Sequence, residues 1–212
     1  EGIYGTSVNV SSTYIFLFIV FGEIMNKCGM GKFFNDIAIG LAGHTKGGPA
    51  KVAVIAAGLL GSINGSAIAN VVTTGSFTIP LMKKIGYSKE FSGAVSSTAS
   101  VGGQLLPPIM GAAAFIMAET LGIKYKEIVV AAAIPALIYY LGIIFQIQLR
   151  ASKDKLDGMP KDQLPKVKET LKMYWHLTIP ILFLVYMLFF SGYTVIKGAF
   201  LTILLTIIIA QL

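Results

Sequence analysis

The feature that most constrains this chain is its alternation of long apolar runs with short polar gaps. Apolar residues dominate Tyr14–Met25, Pro49–Met82, Phe91–Leu121, Ile128–Leu149, Tyr174–Phe190 and Thr194–Leu212, and lysine or arginine marks every gap but the last. A run of about 20 apolar residues spans the hydrocarbon core of a bilayer, where only helices or closed barrels satisfy their own backbone. Composition points the same way. The chain is 55% hydrophobic and only 13% charged, with a mean hydropathy of +0.75, where a soluble domain carries about 25% charged residues. An all-α integral membrane protein is therefore expected. The net charge of +7 would suggest nucleic acid in a soluble protein. Here the basic residues sit between apolar runs and set topology, so no nucleic-acid partner is expected. Cys28 is the single cysteine, which excludes an internal disulfide and a cysteine metal cage. His44 and His176 alone cannot make a zinc site.

The segments divide as follows. Residues 1–30 read as a transmembrane helix, with Glu23 one turn before Lys27 as a helical ion pair near the surface. Residues 31–48 read as an interfacial arm helix. Phe33, Phe34, Ile37 and Leu41 share one face there, and Lys32, Asn35 and Asp36 lie off it; an ordinary connecting helix fits that pattern equally well. Residues 49–86 exceed one span but fall short of two spans and a turn. Their middle, Gly61-Ser62-Ile63-Asn64-Gly65-Ser66, is polar and turn-forming. A re-entrant helical hairpin fits, its first helix ending near Gly61 and its second beginning near Ser66. Residues 87–123 present a second break. A continuous helix over Phe91–Leu121 would be roughly 46 Å long, against a core of roughly 30 Å. Gly102-Gly103-Gln104-Leu105-Leu106-Pro107-Pro108 interrupts it. The glycines can end one half-helix and the prolines open the next, giving a broken transmembrane helix. Residues 124–150 read as an uninterrupted span, 151–173 as a cytoplasmic loop, and 174–212 as two further spans. Tyr174-Trp175-His176 suits an interfacial belt. If the hairpin opens to the cytoplasm, every lysine and arginine except Lys124, Lys126 and Lys197 lies on the cytoplasmic side. The basic loop then serves as a topology anchor and a contact for membrane lipids.

The two breaks carry the chemistry. Helix ends at membrane depth aim free carbonyls and free amides at the same place. Carbonyl and hydroxyl oxygens suit a small hard cation, and amide ends suit an anion. Ser62, Asn64 and Ser66 add side-chain oxygens at the first break, and Thr98, Ser100 and Gln104 at the second. Neither stretch holds an acid or a base, which favours a sodium-like ion over a proton relay. The alternative is that the small residues only permit close packing. Glu119 is the other intramembrane acid to weigh; one turn from Lys124, it suits an interfacial role. No Gly-Lys-Ser/Thr phosphate loop and no catalytic triad is present, and no enzyme is expected.

The stretches Gly47–Val54, Gly61–Met82 and Ser100–Gly111 resemble the hairpin and broken helix of TRAP (tripartite ATP-independent periplasmic) permeases, in particular the fused subclass. The likeness covers about residues 5–150 and is looser beyond. It implies a sodium-driven secondary importer of carboxylate solutes in a prokaryotic inner membrane. The solute would come from an extracytoplasmic binding protein, and an elevator-type moving part would carry it. It places Ser62, Asn64, Gly65 and Ser66 on the hairpin tip, and Gly102, Gly103, Gln104 and Pro107 on the broken-helix loop, as sodium- and substrate-facing positions. It also implies an inverted repeat, of which this chain shows one half. The last two spans would open the next half, so a piece of a longer permease is expected. A sodium–carboxylate symporter that needs no binding protein shares the same plan.

Overall fold

The computed structural model describes residues 5–160 and 164–210. The outer ends of the first and last expected spans, and residues 161–163 of the expected loop, lie outside the described residues. All regular structure among the described residues is helical. Helix α1 spans Thr6–Lys27 and runs through a π-helical turn at Ser11–Ile15. It is followed by α2 (Met30–Ala42), α3 (Gly48–Asn64), α4 (Ala67–Lys84), α5 (Lys89–Gly102), α6 (Ala112–Leu121) and α7 (Tyr125–Lys153). The chain continues through α8 (Val167–Met173), α9 (Trp175–Phe189) and α10 (Val195–Ile209). Helices α1 and α7 are each long and apolar enough to cross a membrane. Helices α8 and α9 reach that length only together, and they bend by 76° at Tyr174. The protein is an all-α membrane protein.

Local sequence explains most helix boundaries. Ser66, Ser88 and Thr194 cap α4, α5 and α10, each accepting the N–H three residues on. Pro49 sits in the first turn of α3, where its missing N–H costs nothing. Gly29 takes a left-handed conformation (φ 95°) and turns the chain from α1 into α2.

Helix α2 lies along α3, with Ala38 and Ala42 packed on Val52 and Ala56. Its buried side includes Met30, Phe33, Phe34, Ala38 and Ala42, while Leu41 is exposed. Asn35, expected off the apolar face, is buried. A second alanine-rich interface joins α3 to α5 and α7 through Ala50, Ala53, Ala57, Val95, Ala99 and Tyr140. Small residues let the helices approach closely, which suits packing in lipid, where burial alone supplies no drive. The largest apolar cluster gathers Phe18, Phe21, Leu60, Ile63, Ile109 and Phe115, and reaches Leu184 on α9.

Three local expectations change. Glu23 and Lys27 do not pair; the ion pairs among the described residues are Arg150–Asp154 and Lys166–Glu169. An exposed helical pair contributes only about 0.3–0.5 kcal/mol, too little to fix two mobile side chains. The stretch expected to be a loop after residue 150 contains the end of α7 and the whole of α8. It also folds back on the α2–α3 turn: Met159 N–H donates to the Gly43 carbonyl (2.8 Å), and Gly47 N–H to the Leu156 carbonyl (3.1 Å). Finally, both breaks begin or end elsewhere than the polar residues suggest, as described next.

Candidate functional site

The first break is one tight turn wide. Helix α3 continues past Gly61 to Asn64, because the polar residues in its last turn satisfy themselves. Ser62 Oγ donates to the Leu59 carbonyl at 2.8 Å. Gly65 closes the helix in a left-handed conformation (φ 62°), its N–H donating to the Gly61 carbonyl. Asn64 Oδ1 then accepts from Ser66 N–H (3.1 Å), and Ser66 Oγ from Ala69 N–H (3.3 Å). The carbonyls of Ile63 and Asn64 accept no hydrogen bond among the described residues, and the Ala67 and Ile68 amides donate none. The tip therefore presents free carbonyls and free amides side by side.

The second break is wide. Helix α5 ends at Gly102, and α6 begins only at Ala112, so Pro107 and Pro108 do not open it. Tight turns use up the last carbonyls of α5: Ser100, Val101 and Gly102 accept from the N–H groups of Gly103, Gln104 and Leu105. The Ala99 carbonyl is capped by Tyr140 Oη (2.9 Å) and the Thr98 carbonyl by Tyr139 Oη (2.8 Å). After the prolines, Ile109 and Met110 turn inward and are buried. Met110, with φ 60°, is an unusual left-handed non-glycine residue. The buried Tyr125 of α7 donates its hydroxyl to the Ile109 carbonyl. Gly111 N–H closes the loop on the Gln104 carbonyl at 2.8 Å.

The two breaks meet. Ile109 N–H donates to the Ser62 carbonyl at 3.1 Å. A Cβ on Gly61 would lie 2.6 Å from the Gly103 Cα, and one on Gly65 would collide with the Met110 carbonyl. A cavity of about 220 Å³ opens beside this junction, lined among others by Asn64, Gly65, Ser66 and Gln104. Of the residues singled out in the sequence, Ser62, Asn64, Gly65, Ser66, Gly103 and Gln104 gather here. Gly102 faces the rings of Tyr139 and Tyr140, and Pro107 does not line this cavity.

Other polar groups near the junction escaped the sequence reading. Asn70 is fully buried on α4; its Nδ2 donates to the Ala57 carbonyl at 2.7 Å, and its Oδ1 has no partner. Ser96 of α5 is also buried with an unpartnered hydroxyl, as is Ser100, which the sequence had already singled out. A polar residue inside the apolar stretch Ala67–Val72 was the available signal for Asn70. The three tyrosines of α7 left none, because their partners are backbone carbonyls distant in sequence. Among the described residues no group of three or more His, Cys, Asp or Glu side chains converges. What the junction offers is neutral oxygen, from carbonyls, amides and hydroxyls.

Comparison with known proteins gives this geometry its context. Residues 3–212 match the family model described as tripartite ATP-independent periplasmic transporter, DctM component, so the likeness extends over the final helices as well. The C4-dicarboxylate TRAP transporter large permease protein DctM of Pseudomonas aeruginosa is 27% identical over 86% of this chain and 42% of its own length. Its counterpart in Vibrio cholerae is 31% identical over 73% of this chain and 33% of its own length. The 2,3-diketo-L-gulonate TRAP transporter large permease protein YiaN of Escherichia coli is 26% identical over 81% of this chain and 39% of its own length. The chain thus spans about two-fifths or less of the curated relatives it matches. With two helix breaks meeting at a neutral, oxygen-rich junction and a family match along nearly its whole length, this chain belongs to the DctM component family of TRAP transporters.

Proposed function

We propose that this chain forms one half of the transport part of a sodium-coupled permease that imports organic acids. The solute is handed over by an extracytoplasmic binding protein. The observation that carries the reading is the junction itself: the unbonded Ile63 and Asn64 carbonyls beside the unbonded Ala67 and Ile68 amides. Half-helix ends of this kind suit a sodium ion at the carbonyls and a carboxylate at the amides. The named relatives, one pair for C4-dicarboxylates and one for 2,3-diketo-L-gulonate, support a solute among carboxylate-bearing compounds. The charge pattern favours a hairpin α3–α4 that opens to the cytoplasm, and the family likeness supports an inner membrane. An elevator-type movement of the hairpin and broken helix, a second, inverted half, and fusion to a small subunit belong to the same proposal.

The test is uptake by the complete permease in proteoliposomes, with its binding protein and an organic acid, under an imposed sodium gradient. Uptake that requires both sodium and the binding protein supports the proposal. Sodium-driven uptake without the binding protein assigns the chain to a direct sodium–carboxylate symporter. Uptake indifferent to sodium overturns the ion assignment.

A further inference from the structure

Beside the hairpin tip, on the side facing α1, lies a second cleft of about 140 Å³. Glu23 and Asn26 of α1 line it together with Asn64 and Ser66 of the tip. Gly22 brings α1 against the tip: a Cβ there would lie 3.0 Å from the Asn64 Cα and 3.6 Å from the Ile63 carbonyl oxygen. That carbonyl is one of the two left without a hydrogen bond. Asn64 Oδ1 and Ser66 Oγ are already oriented by backbone N–H donors, and each keeps acceptor capacity. Glu23 forms no ion pair, with Lys27 or with any other described residue. The cavity on the other side of the tip has no ionisable residue in its lining. One unpaired carboxylate therefore sits among neutral oxygens at the point where α1 touches the break.

We infer that Glu23 supplies the negative charge of a monovalent-cation position on the α1 side of the hairpin tip, completed by oxygens of Asn26, Ile63, Asn64 and Ser66. Neutral oxygens solvate an alkali cation but do not offset its charge. A carboxylate in the lining of the same cleft does so by direct Coulomb attraction. Glu23 thus tunes how tightly the tip holds its cation. The inference rests on the cation reading of the tip under the proposed function, but its test stands apart from transport.

The probe is radioactive sodium, bound at equilibrium to the complete purified permease without solute or binding protein. Wild type, Glu23→Gln, Glu23→Asp and Glu119→Gln are compared. Glu23→Gln is expected to weaken sodium binding at least five-fold or to lose one bound ion. Glu23→Asp keeps the charge and retains most of the affinity, and Glu119→Gln, at the far end of α6, behaves as wild type. Equal melting temperatures without sodium show that the variants are folded. Binding by Glu23→Gln that matches wild type overturns the inference and leaves the proposed function standing. A wild type that binds no sodium overturns both.

Discussion

The two helix breaks do one structural task by opposite means. The hairpin tip turns the chain through Gly65 and Ser66 alone, and the side chains that tie it are its own, Asn64 and Ser66. The break between α5 and α6 takes residues 103–111, and much of its support comes from elsewhere. Tyr125 of α7 holds its Ile109 carbonyl, Tyr139 and Tyr140 cap the end of α5 that leads into it, and the Ser62 carbonyl of α3 holds its Ile109 amide. The tip is locally encoded, whereas the loop is encoded by its surroundings. Damage to the tip should therefore come from changes in the tip, while damage to the loop should come equally from changes in α7.

The largest effects are expected where the two breaks touch. Gly65→Ala puts a side chain on a left-handed residue and drives its Cβ into the Met110 carbonyl. The cost is about 2–4 kcal/mol, strain and overpacking together. Gly103→Ala meets the Gly61 Cα at 2.6 Å, backbone on both sides, so nothing flexible can yield; about 1–3 kcal/mol is expected. Thermal unfolding of the complete permease in detergent measures both. If Gly103→Ala melts as wild type does, the breaks are not in the contact described. Next comes Tyr125→Phe, which removes a buried donor from the Ile109 carbonyl and changes nothing at the tip. About 1–2 kcal/mol should be lost, with hydrogen exchange rising across residues 103–111 and staying level at residues 61–66. A matched rise at the tip would erase the contrast between the two breaks.

Ser66→Ala tests the other side of the comparison. It removes the cap of α4 at a cost of about 1 kcal/mol, and exchange should then rise in the first turn of α4 and not in residues 103–111. Tyr139→Phe should cost less than Tyr140→Phe. Both hydroxyls cap the end of α5, but the Tyr140 bond is buried and the Tyr139 bond is exposed.

This difference in encoding also explains what could be read from the sequence. Apolar runs and capping residues announced the helices and the existence of both breaks, since Gly65, Ser66 and Gly102 act locally. The edges were misplaced where tertiary contacts decide. The polar run at Gly61–Ser62 suggests a break, yet Ser62 bonds within its own helix, and Gly61 lacks a Cβ so that Gly103 can cross it. Pro107-Pro108 suggests a helix start, yet Ile109 and Met110 are drawn into the core and the Ile109 amide is claimed by Ser62. Helix α6 therefore waits for Gly111. Glu23 read as half of a surface ion pair because its neighbours at the tip lie some forty residues away in sequence.

The smallest effect is the one whose sign carries the information. Along α4 and α5, Thr74, Thr78, Ser92 and Ser97 each donate back to the carbonyl four residues earlier. Ser96 and Ser100 do not, and their hydroxyls are buried without a partner. Asn70 must turn its amide nitrogen to the Ala57 carbonyl, which only accepts, so its free atom is the oxygen. Three unpartnered oxygens on two adjacent helices are more than a dry interface tolerates, because buried polar groups are nearly always satisfied. A water among them would supply the missing bonds. Ser100→Ala should then destabilise the permease by up to about 1 kcal/mol, seen as a slightly lower melting temperature. A rise instead would mean that the hydroxyl is desolvated for nothing. The seam between α4 and α5 would then be dry, and the polar chemistry of this half would be confined to the two breaks.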